Sequence, residues 1–272
     1  PRLRYLMTLY LTPDLSADEV RRAAESGTVV GVKSYPRGVT THSDAGVESY
    51  EPYYPIFEAM QEVGLVLEIH GELPSDPVHD ICCLNAEAQF LPMVRRLHTE
   101  FPRLRIVLEH ITTAEAVAFV RSAGPNLAAT ITAHHLELCV DDWAGQNHHF
   151  CKPVAKYPHD REALREIIAE GHSRFFLGSD SAPHPRDAKE AAVGCAGVFT
   201  GAHLAIHLAT TFERIGALRR MVDFATRFGR EFYRLPALDE TIVLERGATE
   251  VPAQYGTVVP FRAGTELPWR LA

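Results

Sequence analysis

Short apolar runs recur along the chain at regular intervals, and four of them end at a side chain with acid–base or metal-binding chemistry. Lys33, His70 and His110 close three such runs at separations of 37 and 40 residues, and Asp180 follows a fourth. Each separation is long enough for one strand, one helix and the loops that lead back to the sheet. The pattern therefore predicts parallel strands that alternate with helices. Because parallel strands end at one edge, the four side chains are expected at the same rim.

The same alternation predicts a TIM (β/α)8 barrel of which about six of the eight strands lie within this chain. The 70 residues between His110 and Asp180 leave room for two units, and a further strand is expected at 127–131. Residues 1–272 are therefore expected to form a single barrel domain that is N-terminally incomplete. The two remaining strands are expected upstream of Pro1.

Local patterns predict where individual elements begin and end. Ser16 and Glu19 form a capping-box pattern that is typical of a helix start. A first strand is expected over 4–11, and an edge strand over 257–261, where prolines limit hydrogen bonding. Helices are also expected over 201–215 and 217–229.

Composition narrows the class of protein and its partners. The 272 residues carry a net charge of −8 without a Lys/Arg cluster, which argues against a nucleic-acid partner. No apolar run approaches the ~20 residues that span a bilayer, so no membrane association is expected. The 5 cysteines are scattered and form no C-x-x-C pair, which is typical of a reducing, cytoplasmic environment.

The four strand-end residues are of the types that build a metal site. Each of them alone has an ordinary structural explanation, since an Asp at a strand end often forms a turn. A lysine, two histidines and an aspartate in register on one face favour a metal site instead. The adjacent pairs His134–His135 and His148–His149 are not expected to share a metal, because neighbours in a strand point to opposite faces.

Six short motifs lie close to the predicted strand ends. They occupy residues 33–36, 70–72, 108–113, 128–132, 177–184 and 194–197. Together they closely resemble dihydroorotase, in the single-function homodimeric form of bacteria and fungi within the amidohydrolase superfamily. The resemblance extends from about Tyr5 to Trp269. It implies the metal-dependent hydrolase type of barrel and a homodimer.

The resemblance implies a site for two Zn²⁺ ions. Lys33 would be carboxylated on its amine, and the resulting carbamate would bridge both ions. His70 and His110 would complete one site, while Asp180 would bind the other ion and act as general acid/base. A buried ammonium would be repelled by two cations, whereas a carbamate supplies oxygen ligands and negative charge.

Two glutamates lie next to these histidines in the sequence. Either could orient a ligating imidazole by a hydrogen bond, and surface exposure is the alternative for both. Glu109 alternates with His110 along its run, so exposure is the preferred interpretation for Glu109. For Glu72 the orienting role stays open.

The reaction that the resemblance implies is the reversible cyclisation of N-carbamoyl-L-aspartate to L-dihydroorotate, in pyrimidine biosynthesis. Thr40 and Thr41 lie in a polar loop that would fold over this small-molecule substrate and hydrogen-bond to it. His184 would contact the substrate carboxylate. The backbone of Lys152 and Ala196 would touch the pyrimidine ring.

Part of the family pattern is missing from this sequence. The family carries a His-x-His pair on its first strand, followed by an Arg and later an Asn that hold the substrate, and none of these has a match here. The second zinc site is therefore expected to be incomplete. Two alternatives stay open, a non-catalytic or truncated homologue that serves as a structural partner and a dihydropyrimidinase-like cyclic amidase. The four retained ligands oppose the first alternative, and the motif at 180–184 opposes the second.

Overall fold

The computed structural model describes residues 4–40, 43–237 and 240–272. Its main feature is a six-stranded sheet in which strands adjacent in the sequence are adjacent in the sheet. The strands are β1 (Met7–Tyr10), β2 (Val29–Ser34), β3 (Val66–His70), β4 (Arg105–Glu109), β5 (Leu127–Ile131) and β6 (Phe175–Leu177). The first five pair in parallel, which confirms the predicted alternation of strands with crossover connections.

Helices separate these strands along the chain. The first four are α1 (Ala17–Glu25), α2 (Tyr54–Val63), α3 (Ala86–Glu100) and α4 (Ala114–Ser122). The predicted capping box opens α1: the backbone N–H of Glu19 donates to Ser16 Oγ at 3.3 Å, and the backbone N–H of Ser16 donates to the Glu19 carboxylate at 2.9 Å. Gly64 ends α2 in the left-handed conformation, with φ +78°.

The central strands are covered on both faces, as expected for a parallel sheet. Every residue of β3 and of β5 is buried. Most of these residues are apolar, but β3 also contains Glu68 and His70, which are 6% and 1% exposed. A buried carboxylate and a buried imidazole are costly unless they are paired, so their partners carry information about function.

The chain divides into two compact units. The first comprises Pro1–Ile111 and Ala118–Thr130, and the second comprises Thr112–Val117 and Ile131–Ala272. The second unit holds the later helices α5 (Val140–Trp143), α6 (Pro158–Glu170), α7 (Arg186–Lys189), α8 (Leu204–Arg214) and α9 (Phe228–Phe232). That residues 1–272 form a single barrel domain stays a prediction.

The second unit also contains a two-stranded antiparallel sheet of β7 (Leu244–Glu250) and β8 (Glu266–Leu271). The predicted edge strand over 257–261 is wrong, because Val258 forms only isolated bridges there, with Pro185 and Tyr255. The two strands escaped prediction because most of their residues are exposed and charged residues interrupt the apolar ones, so no apolar run marks them.

Other predicted boundaries also need correction. The first strand is shorter than 4–11 and covers only β1. The region 201–215 is a 3₁₀ turn, Gly201–His203, followed by α8. The region 217–229 is not one α-helix, since it contains a 3₁₀ turn at Leu218–Arg220 and a π-helical segment at Asp223–Arg227. Among the described residues, no helix has the length and apolar character needed to cross a membrane.

Candidate active site

In the first unit, four polar side chains project from one face of neighbouring strands. Lys33 on β2 lies beside Glu68 on β3, and His70 on β3 lies beside Glu109 on β4. Glu68 and His70 are two residues apart, so they point to the same side of their strand. The strand registers thus bring an amine, an imidazole and two carboxylates to one surface.

His110 reaches the same place by leaving the strand. It follows the last residue of β4 with φ +43°, a left-handed conformation that is uncommon for residues other than glycine. Its backbone N–H donates to Thr130 Oγ1 at 2.7 Å, and its ring centroid lies 4.8 Å from that of His70. The expectation that Glu109 is a surface residue is therefore wrong, because His110 abandons the strand alternation on which that expectation rested.

Glu109 forms an ion pair with the predicted zinc-bridging lysine. Its carboxylate contacts Lys33 Nζ, which also lies 4.5 Å from the ring centroid of Tyr35. Burial disfavours the charge on Lys33, but Glu109 and Tyr35 outweigh burial, so the Lys33 pKa is raised. A carbamate on Lys33 would carry a negative charge and would be repelled by the Glu109 carboxylate. Its formation therefore requires that the Lys33–Glu109 ion pair breaks.

Glu72 orients the other buried histidine. The ring nitrogen Nε2 of His70 lies 2.9 Å from a Glu72 carboxylate oxygen, and both side chains are almost fully buried. Burial lowers the pKa of His70 despite the neighbouring Glu72, which favours the neutral imidazole. With the Nε2 proton donated to Glu72, the lone pair of Nδ1 faces away from the carboxylate. Surface exposure is thus excluded for Glu72.

These residues fit the donor set of a zinc site. A neutral imidazole held by a carboxylate behind it is the usual arrangement of a zinc-bound histidine, and His70 with Glu72 has this form. His110 lies beside it, and Lys33 on the same face could supply carbamate oxygens. The first unit therefore brings together three of the four predicted ligands. The participation of Asp180 stays a prediction.

Asp180 lies in the second unit, three residues past the end of β6. It is half-buried and has φ +40°, so it leaves its strand with the same left-handed turn as His110. The next residue stabilises this turn, since Ser181 Oγ accepts hydrogen bonds from the backbone N–H groups of Thr200 and Gly201 at 3.2 and 2.8 Å. The Asp180 carboxylate therefore lies on a turn whose position is fixed by the hydrogen bonds of the next residue.

Two of the predicted substrate-binding residues meet in this unit. His184 Nε2 donates to the carbonyl of Ala196 at 3.1 Å. Gly197 must be glycine, because an added Cβ would lie 2.6 Å from the carbonyl oxygen of Ala182 and 2.8 Å from Cδ2 of His184. The segment that carries Ala196 is thus packed directly against the segment that carries His184.

The other predicted substrate-binding residues are less informative. Thr40 is half-buried, and its backbone N–H and carbonyl both bond to the Ser43 hydroxyl, at 3.0 and 2.6 Å. Thr41 lies outside the described residues. Lys152 is half-buried between two buried neighbours, Cys151 and Pro153.

A second group of metal-binding residue types lies in the second unit. The ligand atoms of His134, His135 and Cys151 lie within 4.8 Å of one another, and all three residues are buried. The expectation that His134 and His135 point apart is wrong, because they follow β5 in a turn, and their ring centroids are 4.4 Å apart. His135 Nε2 and Cys151 Sγ both donate to the Pro153 carbonyl, at 2.9 and 3.2 Å, so a metal here would replace two hydrogen bonds.

Comparison with known proteins places the chain in a family. Residues 1–193 match the family model described as Amidohydrolase. A dihydroorotase of Mycosarcoma maydis is 51% identical, covering 86% of this chain and 66% of that protein. A probable dihydroorotase of Schizosaccharomyces pombe is 48% identical, covering 98% of this chain and 79% of that protein.

A solved structure agrees with both the fold and the family. The crystal structure of dihydroorotase from Saccharomyces cerevisiae in complex with 5-fluoroorotic acid superimposes with a TM-score of 0.94 at 41% identity, covering 99% of this chain and 80% of that one. This agreement confirms the predicted class of α/β barrel. The chain spans about two thirds to four fifths of the length of these relatives. It therefore belongs to the amidohydrolase family and, within that family, to the dihydroorotases.

Proposed function

We propose that this chain is a zinc-dependent dihydroorotase that interconverts N-carbamoyl-L-aspartate and L-dihydroorotate. The observation that carries the proposal is the grouping of Lys33, His70 and His110 in the first unit, with Glu72 behind one imidazole. A hydrophobic core has no need of such a group, and burying it costs free energy. The names of the relatives supply the reaction.

Two zinc ions would be held by a carboxylated Lys33, His70, His110 and Asp180, and the site of the Asp180-bound ion is incomplete in this chain because it has no His-x-His pair. When bound, zinc lowers the pKa of a water molecule and stabilises negative charge on the carbonyl oxygen that is attacked. His70 suits this role because burial keeps it neutral and Glu72 fixes its ring. His110 is held in place through the hydrogen bond between its backbone and Thr130.

Proton transfer is assigned to Asp180. Its carboxylate accepts the proton of the attacking water and then delivers it to the ring nitrogen that leaves. The fixed turn around Ser181 limits how far this carboxylate can move, which suits a group that must serve two positions in succession.

Substrate binding is assigned to groups of the predicted residues Thr40, Thr41, Lys152, His184 and Ala196. The imidazole of His184 would bind the substrate carboxylate, and the backbone of Lys152 and Ala196 would contact the ring. Thr40 and Thr41 would donate hydrogen bonds from the loop that follows β2. These contacts orient the amide carbonyl for attack.

Partners and location follow from the same proposal. A homodimer in the cytoplasm with a small-molecule substrate agrees with the free state of all 5 cysteines, none of which forms a disulfide. Light scattering of the purified protein tests the dimer.

The experiment that tests the function measures dihydroorotate by its ultraviolet absorbance. With Zn²⁺ and bicarbonate supplied, formation of dihydroorotate from N-carbamoyl-L-aspartate is expected only from protein that also provides the His-x-His pair, the Arg and the Asn that have no match in these 272 residues. Asp180→Asn is expected to lower kcat by about 10²–10⁴-fold, because general acid–base catalysis contributes about that much. Exposed Asp14 is the matched control, and Asp14→Asn should leave the rate unchanged.

Two results would contradict the proposal. Turnover by Asp180→Asn at the wild-type rate would remove this carboxylate from the mechanism. Hydrolysis of dihydrouracil without any turnover of dihydroorotate would assign the chain to a different cyclic amidase.

A further inference from the structure

A buried lysine in the second unit is bound entirely by backbone carbonyls. Lys189, the last residue of α7, is 3% exposed. Its ammonium donates to the carbonyls of Phe150, Cys195 and Gly197 at 2.8, 2.9 and 2.7 Å. Within the described part of the chain, the ionisable groups that act on its charge are the thiols of Cys151 and Cys195, and no carboxylate is among them. A lysine is rarely buried without such a partner, so this arrangement calls for an explanation.

The three carbonyls belong to two segments that carry proposed substrate contacts. Cys195 and Gly197 flank Ala196, so Lys189 holds the backbone on both sides of that residue. Phe150 lies two residues before Lys152. The segments also bond to each other, since the Gly197 N–H donates to the Phe150 carbonyl at 2.9 Å.

The helix and the segment are joined at further points. The backbone N–H of Cys195 donates to the carbonyl of Ala188 at 3.1 Å. A Cβ on Gly194 would lie 2.6 Å from the carbonyl oxygen of Lys189, so the chain passes closely over the end of α7. The ammonium thus lies at the centre of a packed turn, and Nζ is 5.8 Å from the ring centroid of Phe150.

A lysine suits this position for a chemical reason. An ammonium group has three N–H donors arranged around one nitrogen, which can serve three converging carbonyls at once. A planar guanidinium presents its donors in a fork, and an apolar side chain presents none. Loss of the ammonium would leave buried carbonyls with fewer donors, which costs free energy at this point of the backbone.

We propose that Lys189 is a positioning residue that sets the substrate-binding backbone at 195–197 by clamping it to the segment at 150–152. The proposal rests on the proposed function, because that function assigns Ala196 and Lys152 to the substrate. Lys189 itself contacts no reacting atom in this scheme. Burial lowers the pKa of Lys189 to about 8, against the opposing effect of the nearby Cys151 and Cys195.

The test compares Lys189→Met with the wild-type protein. We expect KM for dihydroorotate to rise by ~10-fold, the effect of about 1.4 kcal/mol, while kcat changes less than KM. The reason is that the clamp positions binding groups and not the reacting groups. Arg186 on the same helix is exposed, and Arg186→Met is the control that should keep the wild-type KM.

A second readout does not depend on activity. Hydrogen–deuterium exchange at residues 195–198 is expected to accelerate in Lys189→Met, because the Gly197 N–H loses its fixed acceptor geometry. If Lys189→Met fails to fold, Lys189→Gln, which keeps two donors, is expected to show the same changes at smaller size. A folded variant with unchanged KM would overturn the proposal. Unchanged exchange would overturn it even if the wild-type chain proved to have no dihydroorotase activity.

Discussion

Among single residues, two members of the candidate site have a strained backbone conformation. His110 and Asp180 both have a left-handed φ, at +43° and +40°; His110 directly follows β4, and Asp180 lies three residues past the end of β6. Such a conformation costs about 1–3 kcal/mol and persists where the surroundings enforce it. The hydrogen bond that the His110 N–H donates to Thr130 Oγ1 and the two bonds that Ser181 Oγ accepts enforce it here. Both residues were predicted as metal ligands, so the strain coincides with the proposed chemistry.

The carboxylate of Glu72 is expected to strengthen zinc binding through His70. Glu72→Gln removes the charge behind the imidazole of His70 and should weaken zinc binding by about 10-fold or more, because such partners orient a ligand and raise its basicity. Competition with a chelator measures the affinity. Exposed Glu58 is the control, and Glu58→Gln should bind zinc like the wild type. An unchanged affinity in Glu72→Gln would show that His70 does not ligate zinc.

At the scale of the element, the close approach of β2 and β3 shapes the site. An added Cβ on Gly31 would lie 2.7 Å from the carbonyl oxygen of Val66 and 2.8 Å from Oε1 of Glu68. The absent side chain therefore leaves room for a buried carboxylate between the strands. That carboxylate lies beside Lys33 in the register of the two strands.

Gly31→Ala is expected to destabilise the fold at this contact between β2 and β3. The backbone oxygen of Val66 cannot yield as a flexible side chain does, so overpacking should lower the free energy of unfolding by about 1–3 kcal/mol. Urea denaturation measures this change. Gly124→Ala is the matched control, since its Cβ would meet only the tip of His98, at 3.2 Å. Equal stability of the two variants would contradict this account of the strand contact.

At the scale of the whole molecule, buried histidines link stability to pH. Burial lowers the pKa of His207 to about 4 and that of His134 well below 6.5, so both stay neutral in the folded protein near pH 6. In the unfolded chain the pKa values of both histidines return to about 6.5, so both bind protons as the pH falls below that value. The unfolded state thus binds more protons below pH 6.5, and stability must fall in that range.

The lowered pKa values of His134 and His207 predict that the protein loses stability in acid. The free energy of unfolding should be highest above about pH 6.5 and should decrease as the pH falls towards 4. The decrease is up to about 1.4 kcal/mol per pH unit for each histidine. Urea unfolding at several pH values measures the slope. His207→Gln should reduce the slope, while exposed His159→Gln should not. A slope unaffected by His207→Gln would contradict the assignment.

The sequence alone predicted the alternation of β1 to β6 with helices and three residues that the first unit groups together. Buried parallel strands need near-continuous apolar runs, and such runs are visible without any structure. The polar residues that end them, Lys33, His70 and His110, were therefore identifiable. The antiparallel pair β7 and β8 was not, because strands whose residues are mostly exposed carry little apolar signal.

The partners of these residues depend on how distant parts of the chain meet in the folded protein. The sequence placed Glu109 at the surface by strand alternation, yet the left-handed turn at His110 leaves Glu109 paired with Lys33. Lys189 carried no signal at all, because its three acceptors are backbone carbonyls of residues that are 6 to 39 positions away. Periodicity reports which face of its own strand or helix a residue occupies. Contacts between residues that are far apart in the sequence depend on the whole fold, and a local sequence pattern does not encode them.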